Sequence, residues 1–113
     1  MTAVLQVRLE LSKDGLLRRF DAKGHAGADL GRNVACAAAT VLLRTAGREC
    51  AARGIVESGS AAQPGQMAMV LRDTGDDRGG WLRGVTDFLL RGMSDLQKEF
   101  PGKVALRVET TED

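Results

Sequence analysis

Leu5, Val7, Leu9 and Leu11 are apolar, and Gln6, Arg8 and Glu10 between them are polar. Alternation with a period of two predicts a strand with one buried face. Ser12-Lys13-Asp14-Gly15 follows, and Asp-Gly after such a run signals a hairpin turn. A second strand is expected over residues 16–23, though the adjacent Arg18 and Arg19 disturb its alternation. Residues 26–32 contain Gly27 and Gly31 and no apolar period, so they read as a mobile loop. Residues 34–52 are rich in Ala and Leu, with Ala39, Leu43, Ala46 and Cys50 on one stripe, which predicts a largely buried helix. Asn33 is its candidate N-cap, because a side-chain oxygen there accepts from a free backbone N–H of the first turn.

Gly54 breaks this helix, and residues 55–58 are a short strand candidate. After the turn Gln63-Pro64-Gly65, Met67, Met69 and Leu71 alternate with Ala68 and Val70, as in a strand packed on both sides. Residues 73–80 read as a loop. A second helix is expected over residues 80–99, with Val85, Phe88, Leu89, Met93 and Leu96 on its buried face and Pro101-Gly102 as its stop. Val104, Leu106 and Val108 then mark a last strand, and the polar end from Thr110 to Asp113 is expected to fray. The order is strand, strand, helix, strand, strand, helix, strand. The simplest packing is an α+β domain, a mainly antiparallel sheet with two helices on one face.

Composition narrows the function. The 113 residues suit a single domain, 1–113, with 43% apolar and 27% charged residues. A net charge of +1 and 4% aromatics without Tyr give no sign of a nucleic-acid binder, and direct nucleic-acid binding is not expected. No apolar run is long enough to span a membrane, and the first residues lack a signal-peptide pattern, so a cytoplasmic location is expected. One His and two Cys cannot complete a tetrahedral zinc site without carboxylates, so a zinc site is not expected.

The segment from Gly24 to Thr40 holds the candidate chemistry. With Asn33 as N-cap, Cys36 is the third helical residue, where free N–H donors and the helix dipole favour a thiolate and should lower the thiol pKa. His25 precedes it across the glycine-bearing loop, which can fold back to make a nucleophile and general acid/base pair. The bland alternative is a Cys acting as a small core residue and a solvated His at a strand end. Cys50 has no His near it and reads as core packing.

Gly24-His25, a glycine-bearing loop, and then Gly31-Arg32-Asn33-Val34-Ala35-Cys36-Ala37 resemble the motif of the ribosomal-processing cysteine protease family (Prp). That motif is a Gly-His pair, a flexible loop, and a Gly-x-Asp-apolar-apolar-Cys-Ala run with Ser one turn later. The resemblance extends to the length and element order of most of the chain. It implies Cys36 as nucleophile, His25 as general acid/base, and Gly24 as the glycine before the histidine. It implies a cofactor-free homodimer that removes the short N-terminal extension of large-subunit ribosomal protein twenty-seven, cutting after a Phe. The sequence departs from the motif in three places. Asn33 replaces Asp, Thr40 replaces Ser, and the His-Cys loop is one residue shorter. Asn33 keeps the capping acceptor and can orient a histidine but lacks the charge. Thr40 keeps the hydroxyl, which can face substrate or bond back to the Cys36 carbonyl.

Two other readings follow from these residues. The departures, together with Arg18, Arg19, Lys23, Arg32, Arg44, Arg48 and Arg53, suit a non-catalytic ribosome-associated module that keeps the fold, although such charges are equally a solvated surface. A redox switch between Cys36 and Cys50 is excluded on a continuous helix, where they stand about 21 Å apart. On the second helix, Arg83, Gly84, Asp87, Arg91 and Gly92 mark a solvent or dimer face.

Overall fold

The computed structural model describes residues 5–24, 34–60, 66–72 and 80–111. The elements run β1 (Leu5–Leu11), β2 (Leu17–Lys23), α1 (Val34–Ala52), β3 (Val56–Ser60), β4 (Gln66–Leu71), α2 (Trp81–Glu99) and β5 (Val104–Thr110). They form one five-stranded sheet in the order β3-β4-β2-β1-β5. All neighbours pair antiparallel except β1 and β5, which are parallel. This is the expected element order and a mainly antiparallel sheet.

The topology explains why both helices share a face. β2-α1-β3 and β4-α2-β5 are crossovers between parallel strands, and such crossovers are right-handed. They move in opposite directions across the sheet and start from strands of opposite sense, so the same handedness sets both helices on the same side. Leu5, Val7 and Leu9 of β1, Ala39 and Leu43 of α1, and Leu89 and Met93 of α2 accordingly lie in one buried core. The other sheet face carries cross-strand ion pairs. Arg8 stands opposite Asp21, and its Nε and a terminal nitrogen both donate to one carboxylate oxygen, at 2.9 and 2.7 Å. Glu10 and Arg19, the next pair on that face, are 3.5 Å apart.

Local departures have physical causes. The first hairpin is closed by Ser12, whose hydroxyl accepts from the N–H groups of Asp14 and Leu16, and by Gly15 at φ 83°. Leu16 belongs to this turn, so β2 begins one residue later than expected. A bulge then sets Arg18 outside the regular register, between Leu17 opposite Leu11 and Arg19 opposite Glu10. The extra residue lets Leu17 and Phe20, three apart, point into the same core. The strand expected over residues 55–58 runs over Val56–Ser60, because the Ile55 N–H is still held by the Cys50 carbonyl at the end of α1. Met67 and Met69 are half-buried.

Phe88 is the clear correction: it is 69% exposed and does not face the core. The buried stripe of α2 is Leu82, Thr86, Leu89, Met93 and Leu96. Phe88 is about 100° of helical rotation from Leu89 and falls off that stripe. Polar Thr86 takes a core position because its hydroxyl accepts from the Leu17 N–H at 2.9 Å and donates to the Leu82 carbonyl at 2.7 Å. Val108 is also exposed, at 44%, towards the end of edge strand β5. No helix among the described residues is long and apolar enough to cross a membrane.

Candidate active site

The candidate motif draws on two elements: the end of β2, which leads through Gly24, and the first turn of α1. β2 is an interior strand between β1 and β4, so the position of its last residues is set from both sides. Lys23 pairs with Gln6 on one side and Gln66 on the other. The expected acid/base His25, the candidate N-cap Asn33 and the residues between them lie outside the described residues. The Cys36 half of the site is described.

Cys36 is the third residue of α1, as the sequence predicts. Its side chain falls on the buried stripe with Ala39, Leu43 and Cys50, and the residue is 2% exposed. Thr40, one turn on, donates from its hydroxyl to the Cys36 carbonyl oxygen at 2.8 Å. The back-bonded arrangement is therefore the one observed. The same hydroxyl favours the ionised thiol when its proton turns to the sulfur.

The expected drop in the Cys36 pKa is not seen. Burial pushes the thiol up, and the Thr40 hydrogen bond opposes that shift without cancelling it. A helix start favours the anion, but removing water from a sulfur costs the charged form more. Cys36 is thus held as a thiol in this arrangement, and nucleophilic chemistry requires a base beside it. Cys50 is the same case carried further: it is 0% exposed, and burial, followed by the charge of Glu49, pushes its thiol up to about 11. It is core packing, as expected. Both cysteines are free thiols. No group of three His, Cys, Asp or Glu among the described residues could hold a metal ion.

Sequence reasoning missed the burial of the Cys36 thiol. The signal was present, because Cys36 shares its helical stripe with Ala39 and Leu43. A thiol on the stripe that meets the core is sheltered by the fold that positions it.

Comparison with known proteins gives this arrangement its context. The sequence profile of the family described as Cysteine protease Prp matches residues 4–105. No curated protein matches the sequence at a significant level. Among solved structures, the S. aureus protein titled an essential ribosomal processing protease Prp, in complex with a substrate peptide, superposes with a TM-score of 0.74 at 16% identity, covering 94% of this chain and 100% of that one. The form of that protease with a covalently linked product peptide gives 0.73 at 15% identity, with the same coverages. SMU.848 from Streptococcus mutans gives 0.73 at 20% identity, covering 96% of both chains. At these identities the structural likeness establishes a shared fold, while the profile match spans most of the sequence. The chain belongs to the Prp family of cysteine proteases.

Proposed function

We propose that this protease removes the short N-terminal extension of large-subunit ribosomal protein twenty-seven, cutting after a Phe, with Cys36 as nucleophile and His25 as general acid/base. The observation that carries the reading is Cys36 in the first turn of α1, hydrogen-bonded by Thr40, just beyond the Gly24-His25 pair at the end of β2. The fold shared with a ribosomal processing protease that binds a substrate peptide supports the choice of substrate. The reading places the enzyme in the cytoplasm, where ribosomal proteins are processed, and takes it to be a cofactor-free homodimer.

The chemistry is acyl transfer. His25 takes the Cys36 proton, and the sulfur attacks the scissile carbonyl, forming an S–C bond. As the tetrahedral adduct collapses, the C–N bond breaks and His25 returns the proton to the leaving amine. Water, deprotonated by the same imidazole, then cleaves the thioester and frees the new carboxylate. Backbone N–H groups at the start of α1 have no partner within the helix and are the donors for the oxyanion. Asn33 supports the dyad by capping α1 or orienting His25. Gly24 takes the place of the glycine before the histidine in the family motif.

The test is cleavage of the extended ribosomal protein by the purified enzyme, by Cys36→Ala and by His25→Ala, with products read by mass. One cut after an extension Phe, absent from both variants, is the expected result. An intact substrate with the unaltered enzyme overturns the substrate assignment. Cleavage that survives Cys36→Ala overturns the nucleophile.

A further inference from the structure

The helix-free face of the sheet holds a depression of about 360 Å³ beside the end of β2. Three neighbouring strands build it in two rows. Ala105, Gln6 and Lys23 form one row, and Arg107, Arg8 and Asp21 form the other. Ala105 carries only a methyl group among longer side chains, so the surface dips over it. Three cations and one carboxylate line the space. That carboxylate is already engaged, because Asp21 Oδ2 accepts from Nε and one terminal nitrogen of Arg8. Arg107 gives only its Nε to Glu109, which lies outside the depression, at 2.9 Å. Among the described residues, the other terminal nitrogen of Arg8, both terminal nitrogens of Arg107 and the ammonium of Lys23 have no partner.

Arg8 and Arg107 also stand directly opposite each other on the parallel pair β1 and β5. Like charges at opposed positions repel. An anion seated over Ala105 meets both guanidinium groups and Lys23 at once, and turns that repulsion into a shared contact. We propose that this depression is a binding site for a small phosphate monoester. It lies outside the residues assigned to peptide cleavage, and it stands whether or not the proposed substrate is right.

The donors select the ligand chemistry. A phosphate monoester carries about −1.5 to −2 charge at neutral pH and three acceptor oxygens. Arg8, Arg107 and Lys23 offer one cationic group to each oxygen, from β1, β5 and β2. Guanidinium donors match phosphate oxygens in pairs, and such charge-assisted bonds are the strong ones. A carboxylate brings one charge and two oxygens, which leaves one cation unanswered. No aromatic side chain lines the depression, so nothing there stacks a base, and a nucleic-acid strand would be held by its phosphates alone. The volume is at the small end for a ligand site and suits a phosphate with a short organic group.

Titration of the whole protein with glycerol phosphate, followed by amide NMR shifts, tests the site. Saturable shifts at Gln6, Lys23 and Arg107 with a Kd below about 1 mM are expected. Dimethyl phosphate, with a single charge, should bind about tenfold more weakly. Lys23→Gln and Arg107→Gln should each weaken binding about tenfold. Ala105→Leu fills the floor without altering charge and should abolish binding. Lys13→Gln removes the same charge in the distant hairpin turn and should leave binding unchanged. All four positions are exposed, and circular dichroism checks that each variant is folded. No saturation by about 10 mM overturns the site. An equal loss in Lys13→Gln and Lys23→Gln overturns it too, since net charge would then be the cause. Undiminished binding by Ala105→Leu overturns the location. Equal affinity for the two phosphates overturns the match to a dianion. A uridine oligonucleotide without terminal phosphates that binds more tightly than glycerol phosphate overturns the monoester and assigns the face to an RNA backbone.

Discussion

The Thr40 hydroxyl donates to the Cys36 carbonyl, 2.8 Å away, and sits where turning that one proton to the Cys36 sulfur lowers the thiol pKa. A residue one turn along the helix thus couples backbone geometry to the charge state of the Cys36 thiol. Thr40→Val keeps the shape and removes the donor. The Cys36 pKa should then rise further, and the acid limb of the kcat/KM profile should move to higher pH. A neutral hydrogen bond contributes about 1 kcal/mol, so the rate near neutral pH should fall roughly fivefold. Thr40→Ser should behave as the unaltered enzyme. An unshifted limb in Thr40→Val would show that the hydroxyl serves the helix alone.

Cys50 makes stability depend on alkaline pH. Its thiol is pushed up to about 11 in the fold and ionises at its ordinary value once unfolded. Below the unfolded pKa both states are protonated, and the contribution is fully present. As pH rises towards 11 the unfolded chain binds fewer protons, so stability falls by about 2 kcal/mol. Urea unfolding at about pH 8 and 10.5 reads this loss, and Cys50→Ala should show a shallower one. Equal losses in the two proteins would mean that the thiol ionises alike in both states.

Thr86 ties α2 to the start of β2 through the Leu17 N–H. Thr86→Val conserves volume but leaves that buried donor without its acceptor, at a cost of about 1–3 kcal/mol. Its urea midpoint should drop while peptide cleavage by the folded enzyme stays the same. A midpoint shift below about 0.5 kcal/mol, typical of neutral surface changes, would mean that the N–H finds another acceptor.

Gly54 ends α1 at φ 72° with open space around it. Gly54→Ala therefore meets no steric neighbour, and its whole effect is the left-handed backbone penalty of about 1–2 kcal/mol. Thermal unfolding should show this as a drop in Tm of several degrees, and no change in Tm would indicate that the turn shifts out of that region.

Legibility in the sequence followed periodicity. β1 and α1 were readable to the residue, because Leu5 to Leu11 alternate without interruption and Val34 to Ala52 contain no breaker. β2 was readable as a strand but not in register, since the extra residue at Arg18 reverses the alternation, and a bulge leaves no mark in a single sequence. Phe88 and Thr86 were exchanged in the expected core for a related reason. Hydrophobicity assigns Phe inside and Thr outside, while helix rotation and the bonds made by the Thr86 hydroxyl decide otherwise. At the site, the motif located Cys36 and Thr40. The upward pKa shift was hidden because it arises from α1 packing on the sheet, a tertiary effect that opposes the local helix-end effect.

The parallel pairing of β1 with β5 joins the first strand described to the last. During synthesis, Leu5–Leu11 emerges early and finds its hairpin partner β2 at once, but its other edge has no neighbour until Val104–Thr110 follows. The longest loop closure in the domain is therefore also the last available, and it falls on a strand whose side chains form the centre of the core. A nascent chain stalled before Val104 carries an open β1 edge beside a core lacking one wall, a form prone to pairing with other chains. Completion of this enzyme is in that sense gated by its final strand.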